Sequence, residues 1–270
     1  MKSLFPHSPV LIRIGCFLAL LLLLWLPIAI PAYWLLSDSN TIALITMPVL
    51  FVEFIGLLRW WGRRIYRQPY PLHGYGLQLN YRNGYELLQG LILGTIVLVV
   101  LFLVEGWLGW LRWQPAVGLG RIGLEGLLIS RGWGVGEELI FRGWLLDELQ
   151  RDYSTRSALW LSSLLFAALH FLKPLPEIIR TSPQFFGLVL LGLTLVWAKR
   201  RTCARLGLPI GLHAGLVWGF YLINVGNLIH YTDRVPAWVT GIDGNPLAGM
   251  AGLIVLGGLA HWMRGAEGII

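Results

Sequence analysis

Long apolar stretches separated by short polar loops run along the whole chain. A membrane-crossing helix needs about 20 mostly apolar residues, and about eight stretches approach that length. They lie near residues 14–36, 41–58, 88–111, 117–150, 157–173, 184–198, 207–228 and 247–263. The pattern therefore predicts an all-α fold, a polytopic membrane helix bundle of about eight transmembrane helices.

The fourth stretch, residues 117–150, is too long for one straight crossing. At about 1.5 Å per residue it would reach roughly 50 Å. Gly132, Gly134 and Gly136 offer a natural break, because glycine weakens a helix interior. We therefore expect a kinked or re-entrant element here, followed by a helix that begins near Glu137.

The composition agrees with a membrane protein and excludes an ordinary soluble domain. Hydrophobic residues make up 56% of the chain and charged residues 13%, and the mean hydropathy is +0.66. The two cysteines, Cys16 and Cys203, fall in an apolar stretch and in a loop, so neither a disulfide nor a cysteine metal site is expected.

The distribution of the 21 lysines and arginines predicts the orientation. Arg131 lies inside a stretch, and fifteen others fall on one side of the predicted membrane. The opposite side holds Arg112, Arg121, Lys173, Arg180 and Arg234. We therefore expect both termini in the cytoplasm of a multi-pass protein of the plasma (inner) membrane. Topology and anionic lipid then explain the net charge of +7, and no nucleic-acid partner is expected.

A few polar residues interrupt the apolar stretches. Glu137, Glu138 and Arg142 stand close together, while His170 and His213 each stand alone in an apolar run. An ionisable residue within a membrane costs free energy, so such a set indicates a functional site. Two glutamates and two histidines suit acid/base chemistry or metal binding.

Estimated depths allow these residues to meet in an intramembrane polar cavity. Counted along their helices from the inner surface, Glu137 lies roughly 21 Å deep, His170 roughly 20 Å and His213 roughly 10 Å. Glu138 and Arg142 are spaced i,i+4 and can form a shielded ion pair. Glu137 is then free to act as a general base, poised between a helix start, which favours the charged carboxylate, and desolvation, which opposes it.

Structural interpretations compete with this functional one. Glu137, Glu138 and Arg142 could form a buried salt-bridge knot, and each histidine alone could be a hydrogen-bonded core residue. Phe166, one turn before His170, is expected to form a wall for that histidine. The turn at residues 241–246 is expected to be structural and to lie away from the site.

The motifs together resemble a known family. Glu137-Glu138-x-x-x-Arg142, then Phe166-x-x-x-His170, then His213 after Leu-Pro-x-x-Leu resemble the motifs of the CPBP family in order and spacing. These intramembrane proteases are related to the type II CAAX prenyl endopeptidase and to Abi-like bacteriocin-processing or immunity proteins. The resemblance covers roughly residues 120–228. We accordingly divide one integral membrane unit into N-terminal helices with a basic cytoplasmic loop (1–115) and catalytic helices (116–270).

The resemblance implies roles for these residues. Glu137 and His170 would activate the attacking water, His213 would stabilise the oxyanion, and Glu138, Arg142 and Phe166 would support them. A divalent metal such as zinc on Glu137, His170 and His213 stays an open alternative, since the same groups can work without a metal. The substrate would be a membrane-embedded or lipidated peptide or protein in the lipid bilayer.

One position departs from the family pattern. Four residues after its last histidine the family usually has a polar residue, often asparagine, and this chain has Val217. This favours a second interpretation, a non-catalytic pseudoprotease, scaffold or immunity-type partner. A third is a proton-coupled transporter, against which stand the absence of an inverted repeat and the clustering of the polar residues at one level.

Overall fold

The computed structural model describes residues 5–265, and nearly all of its regular structure is helical. The longer helices are α1 (Val10–Leu35), α2 (Ser39–Arg64), α4 (Tyr81–Trp107), α5 (Leu119–Glu138), α7 (Thr155–Leu169), α9 (Gln184–Arg201), α10 (Gly207–Val225) and α12 (Met250–Arg264). The shorter ones are α3 (Pro71–Gly74), α6 (Leu146–Gln150), α8 (Leu175–Thr181) and α11 (Ala237–Thr240). A π-helical segment (Leu139–Leu145) joins α5 to α6. The predicted all-α membrane helix bundle is confirmed.

The expected count of about eight spans is not confirmed. Within residues 5–265, four helices are long and apolar enough to cross a membrane, namely α1, α2, α4 and α10. Helices α8 and α9 meet at 73° and could together form a fifth span. Helices α7 and α12 have 15 residues each, which is only about 22 Å. The stretch from α5 to α6 carries too many charged residues to pass as an apolar span.

The expected break at the glycines of α5 is wrong. Helix α5 continues through Gly132, Gly134 and Gly136 to Glu138. A Cβ on Gly134 would lie 3.0 Å from the carbonyl oxygen of Ile210 on α10. This glycine therefore permits close helix packing and does not interrupt the helix. The irregular backbone comes later, in the π segment.

Helices α4 and α10 form the closest helix pair, because glycines on both allow their backbones to touch. Gly90 and Gly94 of α4 face Gly211 and Gly215 of α10, and a Cβ on any of them would collide with the opposite backbone. Thr95 Oγ1 also lies 3.3 Å from the carbonyl oxygen of Gly215, as a donor across the pair. Small residues at i,i+4 spacing are the usual device for such contacts in membranes.

Helix α10 also packs against α5, which places it in the middle of the bundle. Trp218 Nε1 donates to the carbonyl oxygen of Gly123 at 2.8 Å, and Gly126 leaves room for the ring of Tyr221. A short strand pair also connects the segments that follow α4 and α10. Strands β1 (Leu111–Trp113) and β2 (Ile229–Tyr231) form an antiparallel pair beyond the ends of α4 and α10.

The N-terminal helices are held to the rest of the bundle by packing and by ion pairs. Phe17 packs on Trp144 of the π segment with ring centroids 4.3 Å apart. Arg13, almost fully buried, contacts Glu148 at 3.0 Å and Asp152 at 2.9 Å. Tyr66 donates to Glu148 at 2.7 Å. Burial, and next this bond, raise the pKa of Tyr66 to about 12, so the phenol stays a donor.

The packing of α4 on α10 generates a stability prediction. Gly90→Ala should lower the unfolding temperature in detergent, because its Cβ meets rigid backbone of α10; overpacking of this kind costs about 1–3 kcal/mol. Gly84→Ala is the matched control on the same helix, since nothing lies within 4 Å of its Cβ. Thermal unfolding followed by circular dichroism compares the two. Equal unfolding temperatures for the two variants would contradict the packing described.

Candidate functional site

The two glutamates lie at the junction between α5 and the π segment. Glu137 and Glu138 are the last two residues of α5, and the backbone N–H of Leu146 bonds to the carbonyl oxygen of Phe141, five residues earlier. The expectation that Glu137 lies near a helix start is therefore wrong, and free N–H groups of a helix start do not act on it. A π bulge inside a helix often marks a functional site.

Glu138 forms the buried anchor of the site. Its Oε1 accepts hydrogen bonds from Arg142 Nη1 and from His213 Nδ1, each at 2.9 Å. The side chains of Glu138 and Arg142 are both 0% exposed. Arg142 also donates through Nη2 to the carbonyl oxygen of Gly192 on α9 at 3.3 Å. The ion pair expected from the i,i+4 spacing is present. With its further hydrogen bonds it links α5, the π segment, α9 and α10.

Glu137 points toward both histidines. Its Oε2 lies 3.8 Å from His170 Nε2 and 3.9 Å from His213 Nε2. Among the described residues this oxygen has no hydrogen-bond partner. The separations are too long for direct hydrogen bonds and short enough for one water molecule to bridge. The structure thus brings together the three residues that the sequence singled out.

In each histidine, the hydrogen bond made by Nδ1 determines whether Nε2 donates or accepts. His170 Nδ1 lies 2.7 Å from the carbonyl oxygen of Phe166, and a carbonyl can only accept, so Nδ1 carries the hydrogen. In the neutral ring Nε2 is then an acceptor facing Glu137. His213 Nδ1 likewise donates to Glu138. His213 therefore has an Nε2–H donor only when the ring is protonated.

The two glutamates and two histidines of the site differ in solvent exposure: one pair is buried and the other is partly exposed. The side chains of Glu138 and His213 are 0% and 6% exposed, whereas those of Glu137 and His170 are 21% and 34% exposed. A substrate could reach Glu137 and His170 without disturbing the buried ion pair.

Phe166 packs between the histidines and the arginine. Its ring centroid is 4.6 Å from that of His170 and 6.2 Å from that of His213. The guanidinium carbon of Arg142 lies 4.2 Å from the same ring centroid, in a cation–π contact. The expected wall for His170 is present, and it also covers the arginine.

An apolar cavity of about 160 Å³ adjoins His213. Its wall includes Val217 and Leu216 of α10, Leu98 of α4 and Asn245 from the turn before α12. The expectation that residues 241–246 lie away from the site is therefore wrong for Asn245 and Pro246, which both line this cavity. Sequence reasoning missed this part of the cavity, because no local pattern shows that a turn 32 residues beyond His213 folds back beside it.

The described residues do not form a metal centre. Within residues 5–265 no group of three or more histidines, cysteines, aspartates or glutamates is placed to hold a metal ion. The Glu137 to histidine separations of 3.8 and 3.9 Å exceed the roughly 3.3 Å between ligand atoms of a tetrahedral zinc ion bound at about 2 Å. Acid/base chemistry by the side chains themselves needs no such group.

The buried ion pair generates a second stability prediction. Arg142→Met should destabilise the fold by about 3–5 kcal/mol, because it leaves the buried Glu138 carboxylate without its cation. Arg121→Met removes an i,i+4 pair with Glu125 on α5, where the arginine side chain is 85% exposed, and should change little. Denaturant unfolding in detergent measures both. A small effect of Arg142→Met would show that the pair does not hold the site together.

Comparison with known proteins found a similarity over the segment that carries the site. The family model of the Rce1-like type II CAAX prenyl endopeptidases matches residues 122–219, less than half of the chain. The matched segment contains the two glutamates, Arg142, Phe166 and both histidines. No curated protein and no solved structure matches the chain. The expected resemblance to the CPBP family is confirmed over this segment, and the apolar helices together with this match indicate an integral membrane protein.

Proposed function

We propose, from the similarity of residues 122–219 to Rce1-like endopeptidases, that the chain hydrolyses a peptide bond of a membrane-embedded or lipidated substrate with a water molecule activated by Glu137 and His170. The observation that carries the proposal is the Glu137 Oε2 atom. It is buried, has no hydrogen-bond partner among the described residues, and lies within 4 Å of Nε2 of His170 and of His213.

The acceptors around this point suit a nucleophilic water. Glu137 Oε2 and His170 Nε2 can each accept one of its hydrogens, which leaves an oxygen lone pair for attack on the carbonyl carbon. As the C–O bond forms, Glu137 takes one proton from the water. The protonated Glu137 then gives that proton to the amide nitrogen as the C–N bond breaks. The products are a carboxylic acid and an amine, and transfer of the acid's remaining proton to the amine gives a carboxylate and an ammonium group.

His213 is the group we assign to the oxyanion. When protonated, its Nε2–H is a donor beside Glu137, and Glu138 holds the other nitrogen at 2.9 Å. A donor fixed in place before the reaction stabilises the negative oxygen of the tetrahedral intermediate without reorganisation.

The apolar cavity offers a place for a nonpolar part of the substrate. It has His213 on its wall, and α4, α9, α10 and α12 all contribute lining residues. The proposed catalytic unit, residues 116–270, is therefore completed by Leu98 from the N-terminal part. We further propose that both termini face the cytoplasm of the plasma (inner) membrane, as the distribution of basic residues predicts.

Val217 favours a second candidate, a non-catalytic pseudoprotease, scaffold or immunity-type partner. It lies on the wall of the same cavity as His213, and its isopropyl group can neither donate to an oxyanion nor accept from a substrate. In this interpretation the cavity binds a membrane partner and cleaves nothing.

Cleavage of fluorescence-quenched membrane peptides, prenylated and unprenylated, by the purified protein in detergent tests the proposal. Glu137→Gln and His170→Ala should each lower kcat by about 10²–10⁴-fold, the usual contribution of a general base. Activity should persist in chelator. Glu125→Gln, an exposed glutamate of the same helix, should cleave as wild type does.

The outcomes separate the two candidates. Equal cleavage by wild type and Glu137→Gln would refute the glutamate mechanism. Silence of wild type on every peptide, relieved by Val217→Asn, would favour the pseudoprotease.

A further inference from the structure

Two backbone carbonyl groups of the π segment accept hydrogen bonds from side chains of other helices. Ser162 Oγ of α7 donates to the carbonyl oxygen of Phe141 at 3.2 Å, and Lys199 Nζ of α9 donates to that of Arg142 at 2.6 Å. Ser162 is 0% exposed and Lys199 3%. Both donors therefore act inside the bundle.

A buried lysine is unusual enough to need a reason. Burial of an ammonium group costs free energy unless it is paired and hydrogen-bonded. Asp147 Oδ1 lies 3.8 Å from Lys199 Nζ, which supplies charge but no hydrogen bond. The contact at hydrogen-bond distance is the one to the Arg142 carbonyl. The irregular backbone of a π segment offers such carbonyls, because its internal bonds do not follow the i→i+4 pattern of an α-helix.

The same two helices also contact the side chains of the site. Helix α7 carries Ser162 and ends where His170 begins the next loop. Helix α9 carries Lys199 and also Gly192, whose carbonyl accepts from Arg142 Nη2 at 3.3 Å. Each of the two helices therefore bonds to the backbone of the π segment. Each also contributes a group to the site, His170 after α7 and the Gly192 carbonyl on α9.

We propose that Ser162 and Lys199 are positioning residues, which hold the π segment so that Glu137 faces Nε2 of both histidines and Glu138 meets Arg142. Neither touches the reacting atoms. They act through the backbone between Glu138 and Leu146, whose shape sets the direction of the carboxylates. The catalytic consequence rests on the proposed function, whereas the structural one does not.

The expected effect follows from the geometry of catalysis. A shift of a catalytic group by about 1 Å can cost about 10²-fold in rate. Loss of one donor should shift Glu137 by less than this and leave the substrate cavity unchanged, because none of its lining residues belongs to the π segment. The effect should therefore fall on kcat and leave KM alone.

Ser162→Ala and Lys199→Met test the proposal, with Ser163→Ala as the matched control. Ser163 is the neighbouring residue on α7 and equally buried, but its Oγ donates to Leu159 O of its own helix at 2.8 Å. Steady-state cleavage gives kcat and KM. Hydrogen–deuterium exchange, followed by mass spectrometry, reports on the amides of residues 139–146.

We expect Ser162→Ala and Lys199→Met to lower kcat by roughly 10-fold, with KM within about twofold of wild type. Exchange in residues 139–146 should accelerate by roughly 10-fold, and Ser163→Ala should match wild type in both measurements. Should Lys199→Met fail to fold, Ser162→Ala decides alone, because it removes only a hydroxyl.

Two results would overturn the proposal. Unchanged exchange in both variants would show that the donors do not hold the π segment. Faster exchange with unchanged kcat would show that they hold it without positioning the carboxylates. If wild type cleaves no peptide, the proposed function fails by itself, and the exchange measurement still decides whether the two donors hold the segment.

Discussion

Glu138 Oε1 accepts hydrogen bonds from Arg142 and from His213, each at 2.9 Å, in a region closed to solvent. This one atom joins the end of α5, the π segment and α10, and Arg142 extends the link to α9. A charge buried so completely must stay paired, since an uncompensated one is strongly destabilising. The positions of these elements are therefore coupled to one another, and the rest of the site is built around that coupling.

Two adjacent glutamates have different environments because they lie on different sides of one helix. Successive residues of an α-helix are turned by about 100°. Glu138 faces inward to Arg142 and His213, and Glu137 faces the partly exposed gap beside His170. Glu138 Oε1 accepts two hydrogen bonds, while Glu137 Oε2 has no hydrogen-bond partner among the described residues and lies beside Nε2 of both histidines. Glu137 can therefore act as a base while Glu138 keeps the ion pair that holds the helices together.

The sequence predicts the features of the site that are local along the chain. The i,i+4 spacing of Glu138 and Arg142 is enough to predict their ion pair, and the rarity of charges in apolar stretches marks His170 and His213. Features that depend on tertiary contacts were missed or misjudged. Gly134 looks like a helix breaker until α10 is seen against it. The π segment, the donors Ser162 and Lys199, and Asn245 beside His213 carry no periodic signal.

The predicted count of about eight spans is not confirmed, for a related physical reason. Hydropathy depends only on residue types and counts every charged residue against a span, including the residues from α5 to α6 that are buried among other helices. Such a helix needs no apolar surface facing lipid along its whole length. Helix α7 is apolar but has only 15 residues, too few for a candidate span. Length and apolar composition together therefore identify only four single helices as candidate spans among residues 5–265.

The account depends on the hydrogen at Nδ1 of His213, because that bond to Glu138 turns Nε2 toward Glu137. Nitrogen-15 NMR of histidine-labelled protein in detergent, assigned with His213→Gln, measures it directly. The account predicts a protonated Nδ1 on His213, and loss of the Glu138 partner in Glu138→Gln should shift that resonance. A neutral His213 with a bare Nδ1 and its hydrogen on Nε2 would contradict the account.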